Sequence, residues 1–227
     1  MAFRDVDLCE QLHIVRSGTT YFAQCLGRLT DPAFDDDTLL PGWTRKHLVA
    51  HVAYNAAALC RLMQWAATGI ETPMYKSAEH RVSEIEAATS LSAETLRDMF
   101  TCNASQLNEA WHRLPGPAWD TPVRTAQGRT VPASETIWMR TREVWIHAVD
   151  LDNGGQFDDI PEVVLQSLLT DIVESWQRRQ IDCELSVHAD GAIRLTMGGD
   201  VTRALHGPLP ALVRWAAGRD AATAMPA

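Results

Sequence analysis

Hydrophobic residues recur with a helical period over the first two thirds of the chain, and this pattern predicts four long helices. We expect the first from about Asp5 to Leu29, and the second from an N-cap at Thr44 to a stop at Gly69. The other two are expected from about Ser92 to Leu114 and from Ser134 to about Asp152. Four helices of this length form a bundle.

The helical pattern weakens between the second and third predicted helices, from Ile70 to Ser90. We expect a long connection here, and connections of this length inside a compact bundle are often lids or binding loops. The segment contains Met74, Tyr75 and Arg81. It is therefore a candidate wall of a binding site.

The last third of the chain has a different pattern. Asn153 to Gln156 is a turn-forming linker, and an amphipathic helix is expected from about Pro161 to Arg179. Two strand-like runs, CELSVHA and AIRLTMG, are joined through Asp190-Gly191, a strong hairpin signal, and LPALVRWAAGR predicts a final helix. The sequence thus predicts a mainly α protein, with a four-helix bundle over residues 1–153 and a smaller α+β domain over residues 157–227.

Composition and charge indicate which kinds of partner the protein is not expected to bind. Of the 227 residues, 46% are hydrophobic and 22% are charged, which is typical of a globular protein. The 20 Lys and Arg against 29 Asp and Glu give a net charge of -9, without a basic cluster long enough to follow a phosphate backbone. The first residues lack the pattern of a secretory signal, and no segment is as long as a membrane span. Neither nucleic acid nor a membrane is an expected partner.

The cysteines indicate a reducing compartment. They are odd in number, widely spaced and without a CxxC pair, so we expect a cytoplasmic protein and no disulfide framework. None is a predicted nucleophile, because cysteines inside helical patterns usually act as small buried hydrophobes. The five are Cys9, Cys25, Cys60, Cys102 and Cys183.

Candidate chemistry lies in the fourth predicted helix, where Glu143 and His147 are four residues apart and project from the same face. Such a pair is either a surface contact or part of a metal site. The surrounding residues are apolar, and a carboxylate among them is costly unless it is paired or metal-bound. These neighbours are Val144, Trp145, Ile146, Ala148 and Val149.

A third candidate ligand, His51, lies among apolar residues of the second predicted helix. Two imidazoles and one carboxylate suit zinc and leave a fourth coordination position open, which is typical of catalytic sites. Asn55 and Asp150 each lie within one turn of a candidate histidine, so each either orients a ligand or makes capping and bundle hydrogen bonds. No Gly-rich phosphate loop and no GxSxG nucleophile elbow is present.

Several longer motifs carry a family resemblance. They are LLPGWTRKHLVAHVAYNA, ETPMY, TAQGRTVPASET, MRTREVWIHAVDL and DIPEV, which together cover much of Leu39 to Val164. The chain resembles the DinB-like metal-binding bundle superfamily and, more closely, the mycothiol-dependent maleylpyruvate isomerases. The motifs ETPMY and TAQGRTVPASET are the more specific signals.

This resemblance implies a role for particular residues. His51, Glu143 and His147 fall on the zinc ligands of the family, and other divalent metals suit the same ligand set. Arg81 and Arg219 match two arginines near the open metal position, the second contributed by the C-terminal domain to the substrate cleft. The resemblance thins between about Arg178 and His206.

The implied activity is the mycothiol-dependent cis–trans isomerisation of maleylpyruvate to fumarylpyruvate in gentisate-type aromatic degradation. Zinc would activate the thiol, thiolate addition would allow rotation about a single bond, and elimination would release the trans product. The expected partners are a small dicarboxylate substrate and a low-molecular-weight thiol. The alternatives are a zinc- and thiol-dependent S-transferase, a zinc hydrolase of the same superfamily, and a non-catalytic metal-dependent binding module.

Overall fold

The structure, a computed structural model, describes residues 2–187, 193–197 and 203–219. The chain forms two compact units. The larger unit is Cys9–Gly155, and the smaller unit combines the segment before Cys9 with the described residues from Gln156 onward. Helices dominate both units, which confirms the mainly α fold class.

Four long helices build the larger unit, as the hydrophobic pattern predicts. They are α1 (Leu8–Gly27), α2 (Arg45–Thr68), α4 (Ala93–Arg113) and α5 (Glu135–Asp150), with a shorter α3 (Ala78–Ala88) between the second and third. The ends of α2 lie where the sequence places them. Thr44 is its N-cap, and Gly69 ends the helix in the left-handed conformation, with φ of 72°.

Helix α3 corrects the expectation of a long connection from Ile70 to Ser90. Only Ile85 and Ala88 are buried in this helix, so its sequence carries little hydrophobic periodicity. Its N-terminus is fixed instead by Ser77, whose hydroxyl oxygen accepts a hydrogen bond from the His80 backbone N–H at 3.1 Å. Arg81 therefore lies in the first turn of a helix and not in a loop.

An aromatic contact and a hydrogen bond join three of the four long helices. Phe22 of α1 packs on Phe100 of α4, with ring centroids 4.8 Å apart. The Trp111 indole N–H of α4 donates to the Thr136 hydroxyl of α5 at 3.2 Å. Helix α4 thus packs against both α1 and α5.

Gly18 of α1 marks a point where two helices lie too close for a larger residue. A Cβ at this position would come within 2.6 Å of Trp145 Nε1 and 2.8 Å of Val144 Cγ2 on α5. We expect Gly18→Ala to lower the free energy of unfolding by about 1–3 kcal/mol, because overpacking outweighs the better helix propensity of alanine.

Urea denaturation checks this expectation, and Gly27→Ala in the same helix is the matched control. No atom lies within 4 Å of a Cβ at Gly27. That change should raise the unfolding free energy by up to about 1 kcal/mol. Equal effects of the two substitutions would contradict the close contact.

A short hairpin between α4 and α5 was not predicted. Strands β1 (Pro122–Arg124) and β2 (Thr130–Pro132) pair in antiparallel register, with Val123 opposite Val131. Each strand has three residues and one of them is a proline, so the alternation is too short to recognise in the sequence. The turn of this hairpin lies next to the cavity described below.

The smaller unit combines two helices and a three-stranded sheet. The helices are α6 (Glu162–Arg178) and α7 (Leu209–Ala216), and the antiparallel strands are β3 (Cys183–Val187), β4 (Ile193–Met197) and β5 (Arg203–His206), in that order. The pairing of β3 with β4 is the predicted hairpin, whose Asp190-Gly191 turn lies outside the described residues. The strand β5 was not predicted.

Trp176 and Trp215 pack edge to face between α6 and α7, with centroids 6.0 Å apart. In the part of the chain that the structure describes, no helix combines the length and hydropathy that crossing a membrane requires.

Candidate metal centre and cavity

Three predicted site residues meet between two helices of the larger unit. His51 comes from α2, and Glu143 and His147 come from successive turns of α5. Glu143 Oε2 lies 3.0 Å from His51 Nε2 and 3.2 Å from His147 Nε2. One ligand atom from each residue lies within 4.8 Å of the other two, so the three side chains form a group that could hold a metal ion.

Asp150 orients one of these imidazoles. Its Oδ2 lies 2.8 Å from His147 Nδ1, and the residue is 0% exposed. This arrangement leaves Nε2 of the ring facing Glu143, as in a carboxylate–histidine–metal site. Asn55 has a different role, since its Oδ1 accepts a hydrogen bond from the Arg140 guanidinium at 3.0 Å. Asn55 thus belongs to the bundle hydrogen bonds.

Burial and mutual contacts change the protonation of the group. Burial acts to lower the pKa of His147, but its hydrogen bonds to Asp150 and Glu143 raise it to about 9. Burial lowers the pKa of His51 and outweighs the opposing effect of Glu143. Burial acts to raise the pKa of Glu143, but hydrogen bonds from His147 and His51 hold it well below its usual value. At neutral pH the metal-free group therefore has an ionised Glu143, a protonated His147 and a neutral His51.

Arg81 contacts the outer side of His51. Its Nη2 lies 3.1 Å from His51 Nδ1, and its guanidinium carbon lies 5.6 Å from the centre of the Tyr75 ring. A guanidinium only donates hydrogen bonds, so Nδ1 accepts and the proton of the neutral His51 ring lies on Nε2, toward Glu143. Arg81 thus lies beside the candidate ligand His51, on a helix instead of a loop, and its predicted role toward the substrate stays a prediction.

His51 and Glu143 line a cavity of about 410 Å³ within the larger unit. Its walls come from α2, the segment before α3, α3 itself, α5, and strand β1 with the turn that follows it. The lining includes His51, Tyr75, Arg81, Arg124, Arg142 and Glu143. A cavity of this size suits a small molecule.

Hydrogen bonds tie the end of α5 to the start of α2 and the segment before it. The buried Arg45 guanidinium donates to the Leu151 carbonyl at 2.7 Å and to the Asp152 carbonyl at 3.1 Å. The Leu39 backbone N–H donates to the Asp150 carbonyl at 3.1 Å. These bonds hold together the two helices that carry the candidate ligands.

The remaining predicted site residue, Arg219, belongs to the smaller unit. It lies beyond the end of α7, and its guanidinium donates a hydrogen bond to the Ala217 carbonyl. Its predicted role toward the substrate stays a prediction.

The cysteines are all free. Cys25 and Cys183 are buried, Cys60 is half-buried, and Cys9 and Cys102 are exposed. Burial raises the pKa of Cys60 to about 11, so this thiol is protonated at neutral pH and is a poor nucleophile.

Sequence reasoning missed two other arginines of the cavity, Arg124 and Arg142. Arg124 Nη1 lies 3.3 Å from Glu71 Oε1. Arg142 directly precedes Glu143, which was the one available signal that it lies near the site.

The donor set fits a divalent metal that accepts nitrogen and oxygen ligands, as zinc does. His147 fits without rearrangement, because Asp150 holds its Nδ1 while Nε2 faces the other ligands. His51 fits with one change. Coordination through Nε2 places the ring proton on Nδ1, where Arg81 now donates, so Arg81 must release this atom.

Comparisons with known proteins show which family the chain is similar to. The family profile described as "Mycothiol maleylpyruvate isomerase N-terminal domain" matches residues 15–152. A crystal structure of the mycothiol-dependent maleylpyruvate isomerase is 41% identical, with a TM-score of 0.88, and covers 98% of this chain and 93% of that chain. A histidine-to-alanine mutant of that enzyme is also 41% identical, with a TM-score of 0.88 and coverage of 97% and 92%. No curated protein sequence matches. This chain belongs to the mycothiol-dependent maleylpyruvate isomerase family.

Proposed function

We propose that this protein catalyses the mycothiol-dependent isomerisation of maleylpyruvate to fumarylpyruvate. The observation that carries the proposal is the His51–Glu143–His147 group at the wall of a small-molecule cavity, in a chain 41% identical to such an isomerase. The reaction turns a cis double bond into a trans one, so it needs a temporary single bond. Thiolate addition and elimination at an alkene carbon supply it.

His51, Glu143 and His147 would hold the metal, and we propose zinc as the ion. A bound zinc ion lowers the pKa of a coordinated thiol, so that the thiolate is available at neutral pH. Asp150 would keep His147 in the tautomer with its proton on Nδ1. Glu143 stays ionised, because its pKa is held well below its usual value.

Arg81 would change partner when His51 becomes a ligand. Its present bond needs a lone pair on His51 Nδ1, and that atom carries the ring proton once Nε2 is coordinated. The freed guanidinium then faces the cavity and can bind a substrate carboxylate through two parallel hydrogen bonds. Arg219 is proposed as the second carboxylate-binding residue, on the strength of its match to the family pattern.

Purified protein incubated with maleylpyruvate, with and without mycothiol, tests the activity. We expect the trans isomer to form only with thiol, while the thiol concentration stays constant. Stoichiometric loss of thiol to an electrophile would instead indicate an S-transferase. Conversion without thiol, or binding without conversion, would contradict the isomerase.

Metal binding should compete with a proton on His147. The pKa of this residue is about 9 in the metal-free protein, so at neutral pH the ring is protonated and metal must displace the proton. We expect about one proton released per metal bound at pH 7, and a metal affinity that rises about tenfold per pH unit until it levels off near pH 9. Above that value the ring is already neutral.

Titration calorimetry in buffers of different ionisation enthalpy counts the protons released. The control is Asp150→Asn, which removes a charge that raises the pKa of His147 and should reduce the release at pH 7. A metal affinity that does not change between about pH 7 and 9 would contradict the assigned protonation.

We also propose a cytoplasmic location and a place in gentisate-type aromatic degradation. The free cysteines support the first, since they suit a reducing compartment. The proposed substrate supports the second. Equal thiol-dependent turnover of unrelated cis alkenes would contradict the pathway assignment.

A further inference from the structure

Arg142 lines the cavity but has no role in the proposed function. It is not a candidate metal ligand, and it is not one of the two arginines proposed to bind the substrate carboxylates. It lies on α5, directly before Glu143, and its half-buried side chain lines the cavity. Within the described ranges, the side chain of Arg142 makes no hydrogen bond and no ion pair. The helix positions three and four residues away carry no acid that could pair with it, being Trp138, Met139, Trp145 and Ile146.

The acidic residues of the cavity wall are occupied elsewhere. Glu71 pairs with Arg124 at 3.3 Å. Glu143 contacts two imidazoles through Oε2, which lies 3.0 Å from His51 Nε2 and 3.2 Å from His147 Nε2. Of the three arginines on the described part of the wall, Arg124 pairs with a carboxylate, Arg81 contacts His51, and Arg142 has no side-chain partner.

The Arg142 guanidinium is half-buried at the cavity wall, and among the described residues no side chain pairs with it, so its N–H donors are available to an anion that enters the cavity. The planar guanidinium of arginine matches a carboxylate with two parallel hydrogen bonds. Its position beside Glu143 places it in the same cavity as the candidate metal ligands and Arg81. The unpaired charge thus lies where a bound acid would be.

We propose that Arg142 binds a carboxylate of the dicarboxylate substrate. This inference rests on the proposed function, because it assigns a residue to the substrate of that reaction. It adds a positive charge on the ligand-bearing helix itself, independent of the smaller unit. Arg142 would orient the substrate through one carboxylate and would not contact the thiol.

A binding measurement tests the inference without turnover. The probe is maleate, a cis dicarboxylate, titrated into the metal-loaded protein in the absence of thiol. We expect Arg142→Gln to weaken maleate binding by about 10- to 100-fold, as expected for loss of a hydrogen bond to a charged group. Arg142→Lys keeps the charge but loses the two-point geometry, so it should bind maleate with intermediate affinity.

Arg129→Gln is the matched control. Arg129 is an exposed arginine in the turn of the β1–β2 hairpin and does not line the cavity. The Arg129→Gln variant should bind maleate with the affinity of the wild type. All variants must carry the same metal content, which shows that the helix remains in place. No maleate binding by the wild type, or equal binding by wild type and Arg142→Gln, would overturn the inference.

Steady-state kinetics separates this inference from the proposed function. If the wild type forms the trans isomer, Arg142→Gln should raise KM for maleylpyruvate by about 10- to 100-fold and leave KM for mycothiol unchanged. A rise in KM for the thiol alone would overturn the role of Arg142 while the isomerase activity stands. Failure of the wild type to isomerise, with maleate binding still dependent on Arg142, would instead reject the reaction and keep the carboxylate site.

Discussion

Glu143→Gln is expected to abolish metal binding and, with it, the isomerase activity. Glu143 Oε2 contacts both candidate histidine ligands, and the substitution replaces a carboxylate that is only 19% exposed by a neutral amide of the same shape. The loss should exceed the roughly 10- to 100-fold that follows removal of an outer partner of a metal ligand. Metal analysis of the purified variant and a product assay measure the two effects.

The matched control is Glu109→Gln on α4. Glu109 forms a surface pair with Arg113 at 2.8 Å, and such pairs contribute little to stability or function. That variant should keep full metal content and activity. Circular dichroism must show that both variants are folded. Glu143→Gln with the metal content of the wild type would mean that this carboxylate is not a ligand.

Asp150→Ala should have the second largest effect, a loss of metal affinity of about 10- to 100-fold. Asp150 is 0% exposed and holds His147 Nδ1 at 2.8 Å, so its removal frees the ring to rotate and to change tautomer. The measurement is metal affinity above about pH 9, where more than half of the wild-type His147 is neutral and proton competition contributes least.

Asp150→Asn separates orientation from charge. The amide oxygen can still accept a hydrogen bond from Nδ1, so this variant should keep most of the affinity that Asp150→Ala loses. Leu39 bonds the backbone carbonyl of Asp150, a contact that both substitutions retain. Equal metal affinity of Asp150→Ala and the wild type would show that Asp150 acts only in the fold.

The sequence predicts most of the larger unit, because long amphipathic helices have a periodicity that a single chain displays. The ends of α2 were located by local chemistry, an N-cap at Thr44 and a left-handed Gly69. Helix α3 was not predicted, because it buries only Ile85 and Ala88 and its sequence has little hydrophobic periodicity. The three-residue strands β1 and β2 were not predicted either, because their hydrogen-bonded pairing defines them and they are too short for a recognisable sequence pattern.

The candidate site also has a part that the sequence predicts and a part that depends on how the helices pack. Glu143 and His147 are a local feature, because four residues on a helix place two side chains on one face. His51 meets these two residues only because of the way α2 packs on α5. A polar residue in apolar surroundings suggests such a contact, but the sequence does not determine the packing. Arg142 was missed because an unpaired charge is recognised only when every neighbouring acid has been located.

The bonds from Arg45 to the carbonyls of Leu151 and Asp152 have a consequence for how metal and folding are coupled. They join α2 to α5 without using any of the candidate metal ligands, so we expect the two helices to stay aligned whether or not an ion is bound. In a zinc finger the ion organises the fold, and chelation unfolds the domain. Here we expect a chelator to leave a folded protein, so that metal binding would be a reversible exchange, separate from the folding of the chain.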